Sequence, residues 1–380
     1  MKVALLIDVY LKPRTIKIAK ALIRKGVDVS VICEKNTKEQ IKSAERFYND
    51  LYWFDRDDYK SLTNVIKKSG ANICHIFSEA HISEWIEQLV TDQKREQIVI
   101  FDQYDNYRGF VTDAIDSFSR RERCCIEQAE GICKRNFEAD YLKEFYGYTP
   151  QNEILFLDYC WGDLINFNSE GHTECEELNI VYGGRLLRRD ILMQDFYLNS
   201  YKIERAGIRF VARMLKDAGG YFNIIPTVDI SSPLYSVYRN IEKMYSSVII
   251  RKPMTTKDLI VYESKMDYGI DCLDLEEAID KYGGENQQVK RERTYYATNK
   301  FFDYLDAGIM PIYGRNYEKF GKYLEDSGAA YYCTMEDMPG RLEYLRENRN
   351  KYKNTAKSAA KQFYIENQIQ RLIDFYKECR

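Results

Sequence analysis

The sequence predicts an α/β protein with two doubly wound parallel-sheet domains facing across a cleft. Three observations predict it. Strand-length apolar runs alternate with amphipathic helical segments along most of the chain, and that alternation calls for parallel pairing with right-handed crossovers. The pattern stops at a polar stretch, residues 166–177 (NFNSEGHTECEE), and then begins again. At 380 residues the chain is too long for most single cores. The expected division is a first domain over 1–165 and a second over 178–355. A closing helix at about 360–380 returns to the first domain, because Phe363, Ile369, Leu372, Ile373 and Phe375 need an apolar partner. The polar stretch, with Gly171, is expected to act as a hinge.

In the first half, residues 2–9 form the first strand. A helix over 13–25 follows, with Ile16, Ala19, Leu22 and Ile23 on one face and Gly26 closing it. Strands are expected at 27–33, 51–54, 73–77, 97–102, 131–136 and 154–157, each a short apolar run. Helices are expected at 39–49, 61–69, 82–93, 124–131 and 137–146. The second half opens with a strand over 178–182 that ends in Gly183, Gly184 and Arg185. Helices at 194–206 and 211–218 flank a short strand at 208–211. Strands at 221–225, 247–250 and 268–273 alternate with helices at 232–244 and 255–263, the latter capped by Thr255 or Thr256. A helix at 317–325, a strand at 329–333, a helix at 339–348 and a last helix at 354–379 complete the chain. Two such Rossmann-like layers place a ligand beyond the carboxyl ends of their strands.

Residues 295–313, YYATNKFFDYLDAGIMPIY, carry the most chemistry. Thr298 or Asn299 can cap a helix whose buried face is Phe301, Phe302, Leu305 and Ala307. Gly308 supplies the left-handed stop, and 309–313 is a strand. A helix start carrying Asn299 and Lys300 suits an anion, because free N–H groups, the helix dipole and a cation point the same way. Asp303 lies one turn further on. The combination suits a nucleoside diphosphate: phosphate at the helix start, ribose hydroxyls at the carboxylate. The plainer alternative is an ordinary αβ unit with a solvated Lys and Asp.

Composition removes other classes. Lys and Arg number 56 against 59 Asp and Glu, a net charge of −3, so no basic stripe marks a nucleic-acid binder. The ten cysteines are scattered, with no CxxC pair or Cys/His cluster in sequence, so neither a metal site nor a disulfide framework is expected. No signal peptide is expected at the start, and no window approaches the roughly 18 apolar residues of a membrane span. A reducing cytoplasm is the expected setting.

At this point the residues resemble a known family, the GT-B glycosyltransferases, and within it the large retaining group (family 4-like) that uses UDP- or GDP-sugars for cell-envelope glycans. Four segments carry the likeness in order: NICHIF with IVIFDQYD (72–77 and 98–105), the stretch 129–159, LNIVYGGRL (178–186), and the donor segment from Asn299 to Tyr313, similar to "NK.FEYLAAG.PVI". Together they span most of the chain. The resemblance implies that Gly183, Gly184 and Arg185 approach the donor's diphosphate, that Asn299 and Lys300 face it too, and that Asp303 holds the ribose. Base contacts would come from the loop near Arg251 and Lys252. The chain departs from the pattern at Tyr295, where relatives often carry a second Glu, and offers Arg188 and Arg189 where they carry a Lys.

The resemblance implies a hexosyltransferase acting on an envelope glycan, a lipid-linked or another acceptor. Arg185 and Lys300 would stabilise the leaving diphosphate without a metal or other cofactor. If the reaction inverts, a base is needed, and Asp102 or Asp105 at a strand end is the candidate; His75, inside an apolar strand, reads first as a core residue. Two rival functions stand: a UDP-sugar epimerase of the same fold, and a non-catalytic GT-B-like subunit of a glycosyltransferase complex. The expectation leaves room for peripheral contact with the inner membrane face and for a homo-oligomer.

Overall fold

The computed structural model describes residues 1–8, 13–35, 50–78, 82–103, 117–137, 140, 142–144, 147–165, 176–184, 195–226, 230–231, 233–272, 275–282, 294–315 and 317–380. These form two compact units, Met1–Tyr159 with Ile365–Arg380, and Cys160–Tyr364. Of the polar stretch 166–177, residues 166–175 lie outside the described residues, as do the helix expected at 39–49 and parts of that at 137–146.

The first unit runs β1 (Lys2–Ile7), α1 (Pro13–Arg24), β2 (Asp28–Glu34), β3 (Leu51–Phe54), α2 (Tyr59–Ser69), β4 (Ile73–Phe77), α3 (Glu84–Thr91), β5 (Ile98–Gln103), α4 (Ser117–Gln128), β6 (Gly131–Lys134) and β7 (Glu153–Leu155). Its seven strands are ordered β3-β2-β1-β4-β5-β6-β7. Val3 lies opposite Val29 and Ile73, and the pairing is parallel. All five residues of β4 (ICHIF) are buried, as a strand covered on both faces requires. The chain winds outward from β1 through β3, then returns to β4 on the other side of β1. The order therefore reverses between β1 and β4, the place where open α/β sheets take ligands.

The second unit runs β8 (Asn179–Gly184), α5 (Asp195–Asp217), β9 (Tyr221–Pro226), α6 (Pro233–Met244), β10 (Val248–Ile250), α7 (Thr256–Glu263), β11 (Tyr268–Ile270), α8 (Glu276–Tyr282), α9 (Asn299–Asp306), β12 (Met310–Tyr313), α10 (Glu318–Glu325), β13 (Tyr331–Tyr332) and α11 (Leu342–Ala360). Its six strands are ordered β10-β9-β8-β11-β12-β13, with the reversal between β8 and β11. Thr255 caps α7 by accepting from Asp258 N–H at 3.3 Å. Gly308 at φ 72° stops α9, a conformation that suits glycine. The chain ends in α12 (Ile365–Glu378), which belongs to the first unit. Among the described residues no helix is long and apolar enough to cross a membrane.

Three local expectations change. Residues 208–211 are not a strand but the middle of the long helix α5; a run of four residues with three apolar ones does not distinguish the two. The expected last helix at 354–379 is two helices, α11 and α12, separated by a turn of 3-10 helix at Lys361–Phe363 and an extended Tyr364. Cys160 N–H donates to Phe363 O at 2.9 Å and fixes that break. On α1 the buried face is not centred on Ile16 and Ile23, since Ile23 is 50% exposed. Ala19 and Leu22 are buried as expected, and Arg14, Lys17 and Ile18 are buried with them, because Arg14 and Lys17 find polar partners inside.

Candidate functional site

Of the residues expected to bind a nucleotide sugar, Gly183 and Lys300 lie at the carboxyl ends of β8 and β11 in the second unit. Asn299 and Lys300 open α9, with Thr298 extended at the cap position and making no side-chain capping bond. Lys300 Nζ donates to Asp271 Oδ2 at 2.6 Å and lies 5.2 Å from the centroid of the Tyr182 ring. Asp271 follows β11 and also accepts from Tyr317 Oη at 3.1 Å. Burial works against the Lys300 charge, but the Asp271 carboxylate outweighs it and holds the ammonium above its ordinary range. This lysine is therefore a fixed cation at a strand end.

Tyr304, three residues beyond Phe301 on α9, joins the two strands. Its hydroxyl accepts from Gly183 N–H at 3.1 Å and donates to Ile270 O at 2.9 Å. A side chain at Gly269 would come within 2.2 Å of the Tyr304 ring, so the ring packs where glycine leaves space. Gly183 and Lys300 thus share one end of one sheet, with Asp303 one helical turn beyond Lys300 on α9, and Gly184 ends β8 opposite Pro226. Arg251 follows β10, two strands from β8 and so about 10 Å along the edge. Its Nε donates to Tyr262 Oη at 2.6 Å, and its guanidinium stacks 5.1 Å from that ring. Arg185, Arg188 and Arg189 lie outside the described residues, as does Asp105.

Several groups at this edge have no local sequence signal. Glu204 on α5 is buried and accepts from Tyr182 Oη. Burial pushes its carboxyl up to about 8, against the opposing pull of Tyr182 and Lys300. A carboxyl raised in the folded state gives stability that is fully present below its unfolded value and is lost as pH rises toward 8. Glu204→Gln keeps an acceptor for Tyr182 and removes the titration. We expect the variant to gain about 1–3 kcal/mol relative to wild type between pH 5 and 8.5, read from urea unfolding at both pH values. Identical pH profiles would remove Glu204 from this account.

In the first unit the strand ends hold a buried polar network. Arg14 Nη2 donates to Asp102 Oδ2 at 2.8 Å, and Nε lies 3.1 Å from each Asp102 oxygen. Arg14 Nη1 donates to Leu157 O at 2.8 Å and to Asp158 Oδ1 at 3.3 Å. His75 Nε2 lies 3.3 Å from Asp102, and His75 Nδ1 is 2.6 Å from Tyr376 Oη on α12. Burial pushes the Asp102 carboxyl up, but Arg14 and His75 outweigh it and hold it down at about 2. In this arrangement Asp102 is a fully buried anion that anchors Arg14. It would have to leave that guanidinium to take a proton from an acceptor.

His75, Asp102 and Cys133 bring one ligand atom each within 4.8 Å of one another, across neighbouring strands β4, β5 and β6. Spacing along the chain does not reveal this Cys/His grouping, because its members are 27 or more positions apart and meet only through strand pairing. The set does not fit a metal ion, because Arg14 already sits in it, with Nη2 3.4 Å from Cys133 Sγ. In the same unit, a cavity of about 470 Å³ is lined by Arg56, Asp57, Tyr59, Ser83, Glu84 and Arg121, among others. Arg121 pairs there with Glu87 at 3.2 Å, and Arg123 pairs with Glu127 at 2.8 Å, so α4 carries surface ion pairs.

No protein-family model matches the chain, and no curated protein matches it in sequence. Solved structures do. The N-terminal domain of trehalose-6-phosphate phosphatase from Candida albicans is similar over 99% of both chains at a TM-score of 0.64 and 8% identity. A trehalose-6-phosphate synthase, studied for glycosyl transfer with retention, is similar over 99% of both chains at a TM-score of 0.60 and 10% identity. UDP-GlcNAc 2-epimerase from Neisseria meningitidis, bound to UDP-GlcNAc, is similar over 100% of both at a TM-score of 0.59 and 10% identity. At these identities the likeness shows the fold, and the fold is GT-B: two parallel-sheet α/β units of seven and six strands.

Proposed function

We propose that this chain is a nucleotide-sugar-dependent hexosyltransferase of the family 4-like group, transferring sugar from a UDP- or GDP-sugar to an envelope glycan, a lipid-linked or another acceptor. One observation carries the proposal: at the strand-order reversal of the second unit, a glycine-ended strand meets a helix start that holds a fixed lysine and, one turn on, a carboxylate. The Gly183 N–H is held by Tyr304, so the backbone at Gly184 and beyond, with Arg185 and Lys300, would take the diphosphate. Asp303 would take the ribose hydroxyls, and Arg251 marks the side on which the base would lie. The GT-B neighbours, one of them bound to UDP-GlcNAc, support a nucleotide-sugar donor.

Catalysis in this reading is electrostatic. Lys300 and Arg185 stabilise charge as it develops on the leaving diphosphate. The commitment of Asp102 to Arg14 favours the route in which the leaving phosphate itself takes the acceptor proton. For an inverting route the remaining base is Asp105. The first unit would present the acceptor.

The test is product analysis with UDP- and GDP-sugars in the presence and absence of lipid-linked and glycan acceptors. Release of nucleoside diphosphate that depends on acceptor, with the sugar found on the acceptor, is the expected result. Conversion of the sugar without any acceptor identifies an epimerase instead. Binding of donor with no turnover under any condition identifies a non-catalytic subunit.

A further inference from the structure

Glu263 is the last residue of α7, and neither the donor motif nor the mechanism above uses it. Its side chain is buried, at 1% exposure, and its Oε2 has no hydrogen-bond partner. It lies against the strand that ends in the glycine pair: a Cβ built on Gly183 would come within 2.9 Å of Glu263 Oε1. The missing side chain at Gly183 is therefore the space this carboxyl occupies. A buried polar group without a partner is destabilising, and a leucine or methionine would fill the same volume without that penalty. The position thus breaks the rule that buried polar groups are satisfied, at the edge where a ligand is expected.

We propose that Glu263 is a binding residue of the donor pocket that presents a carboxyl O–H to a non-bridging oxygen of the donor's diphosphate. This rests on the donor site proposed above and adds a group to it. The geometry favours the diphosphate over the ribose, since Glu263 adjoins the glycine end of β8, whereas Asp303 is the ribose candidate on α9. The electrical surroundings are consistent. From α9 the carboxyl faces Asp303, Tyr304 and Asp306, and from β8 it faces uncharged glycine backbone. Burial, then the two aspartates, push it well above the ordinary carboxylate range. An ionised Glu beside a diphosphate would repel it, whereas a neutral carboxyl donates a hydrogen bond. Tyr304 cannot take this role as placed, because its one O–H is given to Ile270 O.

The experiment titrates the full chain with UDP or GDP, whichever wild type binds, and with the matching nucleoside, at pH 6.5 and pH 9. It compares wild type, Glu263→Gln, which keeps a neutral donor, and Glu263→Leu, which keeps bulk alone. At pH 6.5 the Gln variant is expected within about threefold of wild type. The Leu variant is expected to bind the diphosphate about tenfold more weakly, with the nucleoside unchanged. Wild type is expected to lose affinity for the diphosphate between pH 6.5 and 9, and the Gln variant to lose less. A Leu variant that binds the diphosphate like wild type, or loses diphosphate and nucleoside equally, overturns the proposal. So does a Gln variant with the wild-type pH dependence, an arm that remains readable if the Leu variant fails to fold. Wild type that binds neither nucleoside diphosphate at either pH overturns the donor site itself.

Discussion

Replacing Arg14 by Met is expected to lower the stability of the first unit by about 3–5 kcal/mol, the scale for breaking a buried ion pair from one side. The substitution leaves Asp102, at 0% exposure, without the guanidinium that holds both its oxygens, and takes one partner from Asp158. Arg14→Met combined with Asp102→Asn should recover part of the loss, because no uncompensated charge then remains in the interior. The acid limb of stability should change as well. Asp102 is held at about 2, below the ordinary 3.8, so its contribution is present above the ordinary value and disappears as pH falls toward 2. That loss should be smaller in Arg14→Met. Urea unfolding from pH 2 to 7, followed by tryptophan fluorescence, measures both effects, since Trp53 and Trp85 lie in this unit. A loss below about 1 kcal/mol at pH 7 would mean that the network is not what holds these strand ends together.

Replacing Lys300 by Ala is expected to weaken nucleoside-diphosphate binding by about 1–3 kcal/mol, the scale for losing one charge-assisted hydrogen bond. The lysine is well placed for this because Asp271 and the Tyr182 ring already fix its ammonium, so little ordering remains to be done on binding. Asp303→Ala should weaken binding less and act through the ribose, so a ribose-lacking probe such as pyrophosphate should not sense it. Calorimetric titration of both variants with nucleoside diphosphate and with pyrophosphate separates the two roles. Equal losses for both probes in Asp303→Ala would contradict the ribose assignment.

The fold was legible in the sequence because a parallel sheet covered on both faces needs continuous apolar strands, and ICHIF or KVALLI can be little else. Boundaries were legible where a residue type dictates them, as Gly308 does after α9 and Thr255 does before α7. The break between α11 and α12 was not, because it contains no Pro or Gly and depends on Cys160 from far along the chain. The donor side was legible only where its residues are neighbours in sequence. Asn299, Lys300 and Asp303 declare themselves by helical spacing. Asp271, Glu204, Glu263 and the bridging hydroxyl of Tyr304 do not, because only strand pairing and helix packing bring them to the same edge. Asp102 shows the converse limit. Its place at a strand end made it a plausible base, but its partner Arg14 is 88 positions away and reverses the chemistry.

The most direct test of the account is whether the carboxyl end of β8 and the start of α9 form one nucleotide site. The measurement is nucleoside-diphosphate affinity, by calorimetry, for wild type and for Gly183→Ala, whose Cβ would come within 2.9 Å of Glu263 Oε1 and displace that carboxyl at the end of β8. The account predicts that wild type binds UDP or GDP and that Gly183→Ala, like Lys300→Ala, loses about tenfold or more while remaining folded. Wild-type chain that binds neither nucleotide, or a Gly183→Ala variant that binds as tightly as wild type, would contradict it.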